Sequence, residues 1–203
     1  MTHVALFDYG AGNLHSLKKG IEAGGARVTV TTNWDEALDR DALVLPGVGS
    51  FGAAVQGLGE QGPRVRRALE DGLPCLGICL GMQLLFPSSE EAEGAGIGFL
   101  PGRVRRLRAR TVPQIGWNDV VTSSDPLLEG VGDALTAYYA NSFVCDVESD
   151  SEDQVVVARS EYEGDEFAAA VRKGRTWGFQ FHPEKSSLPG LRILSNFILE
   201  VNT

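Results

Sequence analysis

The chain has 203 residues, with 18 Lys+Arg against 27 Asp+Glu and a formal net charge of −9 at neutral pH. That balance argues against a general nucleic-acid binder, because backbone phosphates are neutralised by clustered Lys and Arg and an acidic surface repels them. With 43% hydrophobic and 22% charged residues, the composition is that of a globular protein with a proper core, expected as one domain over residues 1–203.

In chain order, a strand over residues 4–7 is followed by a helix over 14–23. A strand at 28–31, a helix at 34–38, a strand at 43–45, a helix at 63–70, a strand at 74–78 and a helix at 80–85 come next. Strands that read as continuous apolar runs belong to a parallel sheet covered on both faces, whose ligands bind beyond the strands' C-terminal ends. Beyond Phe86 the pattern changes to segments typical of antiparallel pairing, at 102–108, 135–146, 154–160 and 167–172. The acidic cluster 149–153 is expected at a hairpin tip and the Ser/Glu/Gly-rich span 88–96 as a surface loop. A strand at 176–181 and an amphipathic helix over 188–200 close the chain. The expected fold is thus α/β: a mixed, mostly parallel central sheet flanked by helices, with an additional antiparallel section.

The longest apolar stretch, around Cys75 to Phe86, is well under the roughly 20 residues that cross a bilayer, and the N-terminus shows no export signal. Neither a membrane role nor secretion is expected. Three cysteines without CxxC spacing fit neither a disulfide framework nor a zinc site, and point to the reducing cytoplasm. No metal and no cofactor is expected.

The segment Gly77-Ile78-Cys79-Leu80-Gly81 lies where a buried strand turns into a helix and has the form of a nucleophile elbow. Glycines flank the reactive residue because the sharp turn crowds both neighbours. A thiol at its centre faces a helix N-terminus, whose partial positive charge favours the thiolate. The alternative is a buried structural cysteine, the reading adopted for Cys75 and Cys145. A thiolate also needs a base, and the chain has three histidines: His3, His15 and His182. His182 is the best placed, in Gly178-Phe179-Gln180-Phe181-His182-Pro183-Glu184 at the end of the last strand. Pro183 keeps His182 extended, so Glu184, two residues on, can share its side and orient the imidazole. The glycine-rich turn from Pro46 to Gly52 can aim a backbone N–H of Val48 or Gly49 at an oxyanion, with the Leu80 N–H as second donor. A phosphate-binding reading of this turn fails because no Gly-Lys-Ser/Thr follows.

Together, GICLGMQLL around Cys79, PGVGSF before it and GFQFHPEKS near the end resemble the class I (triad) glutamine amidotransferases, which share a flavodoxin-like fold, over essentially the whole chain. Within that class, DYGAGNL after the first strand and PQIGWN at residues 113–118 resemble the glutaminase subunits of imidazole glycerol phosphate synthases. The resemblance implies Cys79 as nucleophile, His182 as base and Glu184 as its partner. It also implies that Gly49, Gly52, Gln83 and the Ser142 and Phe143 backbone hold the L-glutamine substrate. The implied partner is a (β/α)8-barrel cyclase, joined as a heterodimer through loops near Asn13, Trp117, Asn118 and Tyr138. It would receive the ammonia and make imidazole glycerol phosphate and AICAR in histidine biosynthesis. Two positions depart from the pattern, Gln114 and Asn141, each where relatives often carry histidine. Trp117 as plain core packing remains an alternative to Trp117 as interface anchor. A glutaminase of another synthase (pyridoxal phosphate or purine pathway), a free-standing Cys-His-Glu hydrolase and a non-catalytic binding module remain rival readings. The run Arg103, Arg105, Arg106, Arg108 and Arg110 reads as a half-exposed strand whose arginines meet water or local carboxylates, with electrostatic contact to a partner as the alternative.

Overall fold

The computed structural model describes residues 1–10, 12, 14–132, 134–148 and 155–203. Asn13 and the acidic cluster 149–153 therefore lie outside the described residues. The first half alternates strand and helix: β1 (His3–Phe7), α1 (His15–Ala23), β2 (Arg27–Thr31), α2 (Trp34–Leu38), β3 (Ala42–Leu45), α3 (Phe51–Leu58), α4 (Gly62–Glu70), β4 (Cys75–Ile78) and α5 (Leu80–Leu84). Strands then dominate: β5 (Gly102–Arg106), β6 (Gln114–Thr122), β7 (Ala134–Asn141), β8 (Phe143–Val147), β9 (Val156–Tyr162), β10 (Asp165–Lys173) and β11 (Thr176–Phe179), followed by α6 (Ser187–Val201).

One sheet runs in the order β2-β1-β3-β4-β11-β10-β9-β6-β7, and β5 and β8 form a second, two-stranded sheet. The pairings from β2 to β11 are parallel and those from β11 to β7 antiparallel. The parallel half and the antiparallel section are thus one continuous surface. Strand β1 shows why its sequence has no in/out alternation: Val4 and Leu6 enter one core with α1 and α6, while Ala5 and Phe7 enter the other with α2 and α3. Both faces are covered. Helix α6 presents Gly190, Ile193, Leu194, Phe197 and Ile198 inward, the apolar stripe of a 3.6-residue period. No helix among the described residues is long and apolar enough to cross a membrane.

Several boundaries differ from expectation. The helix α3 and the strand β6 were not expected, the segment 135–146 divides at Ser142 into β7 and β8, and the last strand stops at Phe179. Within the arginine run, Arg105 is buried instead of half-exposed. Its guanidinium makes paired bonds to Asp165 at 2.7 and 2.9 Å, and Asp165 also accepts the Arg108 N–H at 2.7 Å. This ion pair ties the two-stranded sheet to β10, and Arg110 and Thr111 reach the exposed Glu163 through their backbone N–H groups.

Candidate active site

Strands β3, β4 and β11 lie side by side and parallel, with Leu45 opposite Gly77 and Ile78 opposite Phe179. Parallel neighbours finish at the same rim, so residues 46–47, Cys79 and residues 180–182 converge there despite their distance in sequence.

Cys79 leaves β4 with φ 47° and ψ −103°, a state that costs a side-chain-bearing residue roughly 1–3 kcal/mol. Its N–H donates to the Phe179 carbonyl at 2.6 Å, and its carbonyl accepts the Gln83 N–H at 3.0 Å, the first bond of α5. Space explains both glycines. A Cβ on Gly81 would collide with the Leu45 carbonyl, and one on Gly77 would stand 2.7 Å from the Gly81 carbonyl oxygen. The Leu80 N–H, first in α5, has no acceptor within the helix.

His182 is extended, with φ −100° and ψ 97°, ahead of a single 3-10 turn over Pro183–Lys185. Pro183 excludes the helical region from His182. The turn, not a continued strand, then swings Glu184 back until its Oε1 lies 2.8 Å from His182 Nδ1. The surroundings fix this turn firmly. His182 N–H donates to the Tyr138 carbonyl at 2.9 Å, while the Ser186 hydroxyl donates to the His182 carbonyl at 2.7 Å and accepts the Tyr138 N–H at 3.0 Å. Gly190 on α6 leaves room for the Pro183 carbonyl, which any Cβ there would strike.

With Nδ1 committed to Glu184, Nε2 is the ring nitrogen left for Cys79. A Cβ placed on Gly47 would stand 2.9 Å from both Cys79 Cβ and His182 Cε1, so the two side chains lie within twice that distance of each other. Burial works against a charged imidazole here, but hydrogen bonding to Cys79 and Glu184 and their negative charges outweigh it, and His182 rises from 6.5 to about 10. Its two partners therefore favour the charged form of the imidazole. Cys79 is 7% and His182 4% exposed, so little water screens the pair.

Around this centre, Gly49 takes a left-handed φ of 97° and Val48 packs against Gly12, where a Cβ would lie 2.6 Å from Val48 Cβ. The glycine-rich turn is thus buttressed by the loop after β1. Gly52 lies in the first turn of α3, behind the Ser50 cap. Gln83 is buried, and its Nε2 donates to the Phe143 carbonyl at 3.1 Å. Asn141 Nδ2 donates to the same oxygen at 3.1 Å, and the Ser142 carbonyl accepts the Leu107 N–H at 2.9 Å. The two departures from the family pattern are cross-strand partners, Gln114 opposite Asn141; both are buried, and neither amide end of Gln114 has a hydrogen-bond partner among the described residues.

The outer face of β6 and β7 exposes Ile115, Trp117 and Val121, with a hydrogen-bonded Thr136–Asp119 pair between Trp117 and Val121. Trp117 is 54% exposed, which removes the core-packing reading, and it meets Tyr138 edge-on with ring centroids 6.1 Å apart. Asn118 alternates to the other face of β6 and donates to the Glu161 carbonyl at 2.9 Å, so it does not join that aromatic pair. Two residues close to the thiol had no individual role legible in the sequence: Gly47, one glycine of the expected oxyanion turn, and Gln180, an uncharged amide inside a recognised motif.

A thiol, an imidazole and a carboxylate converging at the rim of an open α/β sheet, beside a glycine-rich turn, are the equipment of acyl transfer through a thioester. The chain belongs to the glutamine amidotransferase class-I family, whose model matches residues 5–201. It is 43% identical to the imidazole glycerol phosphate synthase subunit HisH of Gloeobacter violaceus, over 97% of this chain and 88% of that one. With the subunit of the same name from Natronomonas pharaonis it shares 42% identity, over 96% and 93% of the two chains. Among solved structures it resembles PurLQS from Thermotoga maritima with a TM-score of 0.79 at 21% identity, covering 98% of this chain and 99% of that one; the shared property there is the fold.

Proposed function

We propose that this chain is the glutaminase subunit of an imidazole glycerol phosphate synthase, acting as one catalytic domain over residues 1–203 in the cytoplasm. The observation that carries the reading is His182, held between Glu184 and Cys79 at the ends of adjacent parallel strands. Full-length relatives bearing that subunit's name support the particular synthase, and three buried, free cysteines suit a reducing compartment.

In this reading the Cys79 thiolate attacks the side-chain amide carbon of glutamine. The oxyanion is received by the Leu80 N–H and by Val48 or Gly49 N–H, and His182 protonates the departing ammonia. Water activated by the same imidazole then hydrolyses the γ-glutamyl thioester to glutamate. Glutamine is held near Gly49, Gly52, Gln83 and the backbone of Ser142 and Phe143. The ammonia passes to a (β/α)8-barrel cyclase bound as a heterodimer. Its docking face includes the exposed Ile115, Trp117 and Val121 with Tyr138, next to the catalytic turn because the Tyr138 carbonyl holds the His182 N–H. Partner and acceptor shift the glycine-rich turn toward its active form.

The test is glutamate release by wild type and Cys79→Ala, each with and without the cyclase and its ligand. Release that requires Cys79 and rises with the cyclase is expected. Release by Cys79→Ala, or equal rates with and without the cyclase, contradicts the respective half of the reading.

A further inference from the structure

The buried amide of Gln180 has no part in the chemistry described so far. Its side chain is fully enclosed, its Nε2 donates to Cys79 Sγ at 3.6 Å, and its Oε1 accepts from Gln83 Nε2 at 3.4 Å. A backbone group decides which end of each amide faces which neighbour. The Phe143 carbonyl can only accept, and it receives Gln83 Nε2 at 3.1 Å. Gln83 therefore presents its NH2 on that side, and the second proton of the same NH2 goes to Gln180. Gln180 must answer with its carbonyl oxygen, which leaves its own NH2 for the sulfur.

The anchor cannot easily reverse. Asn141 Nδ2 occupies the other lone pair of the Phe143 carbonyl at 3.1 Å; turning Gln180 over would set buried donor against donor, and turning Gln83 over would set acceptor against acceptor. The base of the Gln180 side chain is fixed as well, since its N–H donates to the Ala169 carbonyl at 2.9 Å just past the end of β11. The titratable groups around the sulfur are His182, then Glu184 beyond it, with Cys145 on β8 close enough to feel its charge. A neutral donor suits that setting: an acceptor would repel a thiolate, and a second cation would compete with His182 for it.

We propose that Gln180 is a positioning residue for the nucleophile: with a polarity set by the Phe143 carbonyl and relayed through Gln83, its N–H donates to the Cys79 sulfur and holds it as a directed thiolate. This rests on the assignment of Cys79 and His182 as nucleophile and base.

The experiment is alkylation of the full chain with iodoacetamide from about pH 5 to 10, read at Cys79 by peptide mass mapping. The midpoint belongs to the Cys79–His182 pair. Gln180→Met keeps the side-chain length and removes the donor. The rate at Cys79 below the midpoint should fall on the order of ten-fold, with the midpoint displaced upward by about one pH unit. Gln180→Glu, which turns an acceptor toward the sulfur, should displace it further. Gln83→Met frees the Gln180 amide to turn over and should move the midpoint the same way by less. Wild-type profiles in Gln180→Met and Gln83→Met overturn the proposal; if circular dichroism finds the Gln180 variants unfolded, the Gln83→Met profile alone decides. Failure of the underlying assignment looks different: Cys79→Ala would still release glutamate, or alkylation at Cys79 would ignore His182→Asn.

Discussion

Alanine at Gly47 would add one methyl group between the side chains of Cys79 and His182. Its carbon would stand 2.9 Å from Cys79 Cβ, 2.9 Å from His182 Cε1 and 2.9 Å from the Ile78 carbonyl oxygen, whereas ordinary contact begins near 3.4 Å. Gly47 is not among the residues with positive φ, so the backbone accepts alanine and the effect is one of contact alone. The Ile78 carbonyl belongs to β4 and cannot retreat, so Cys79 and His182 must each give way by about half an ångström. A displacement of about 1 Å in a catalytic group costs on the order of 100-fold in rate, so about half of that predicts a fall in kcat of roughly ten-fold. Overpacking should lower stability by about 1–3 kcal/mol. Glutamate release at saturating glutamine in the presence of the cyclase, beside a denaturant melt, measures both. A Gly47→Ala variant with wild-type kcat would mean that Cys79 and His182 do not share the space against Gly47, and the site as described would be wrong.

Three further predictions use other parts of the molecule. His182 is raised to about 10 by Cys79 and Glu184 against the effect of burial; its contribution to stability is therefore complete below about pH 6.5 and disappears as pH rises through 10. Glu184→Gln removes one source of that shift, so its deficit in melting temperature should be largest near neutrality and narrow toward pH 10; a deficit constant with pH would break the link. Arg105→Met leaves the buried Asp165 carboxylate without its charge partner, at a cost of about 3–5 kcal/mol in urea unfolding at neutral pH. Burial alone would raise Asp165, but Arg105 and the Arg108 N–H hold it below the ordinary 3.8, so that stability is lost as pH falls through the acid range, and Arg105→Met/Asp165→Leu should recover most of it. Trp117→Ala, at a half-exposed position, should leave the melting temperature within a degree or two but weaken cyclase binding by about 2 kcal/mol or more in titration calorimetry; unchanged affinity would remove Trp117 from the interface.

The sequence made most of the parallel half readable because β1, β3 and β4 are buried on both faces and α1 and α4 are amphipathic, so their periods are clean. The elbow was readable for a similar reason: Gly77 and Gly81 stand where a Cβ meets backbone on either side of Cys79. The misses have physical causes. In β6 the outward Ile115, Trp117 and Val121 are apolar and the inward Gln114 is polar, while Asp119 and Val120 follow the ordinary pattern, so the alternation of a half-buried strand is broken. In α3, Gly52 and Gly57 depress helix propensity, although the Ser50 hydroxyl that accepts the Ala53 N–H was a start signal available in the sequence. Arg105 looked like any member of a basic run because its partner, Asp165, is brought to it only by the pairing of β5 with β8 beside β10. Gln180 stayed hidden because an amide shows its role only once the donors and acceptors around it are in place.

The central claim is that Cys79 forms the covalent bond to glutamine with His182 as its base. The most direct measurement is mass mapping of the chain after reaction with an electrophilic glutamine analogue, with and without competing L-glutamine. The account predicts one adduct per chain, on Cys79, suppressed by glutamine and slowed strongly in His182→Asn. An adduct on Cys75 or Cys145, or labelling of Cys79 that glutamine and His182→Asn leave unchanged, would contradict it.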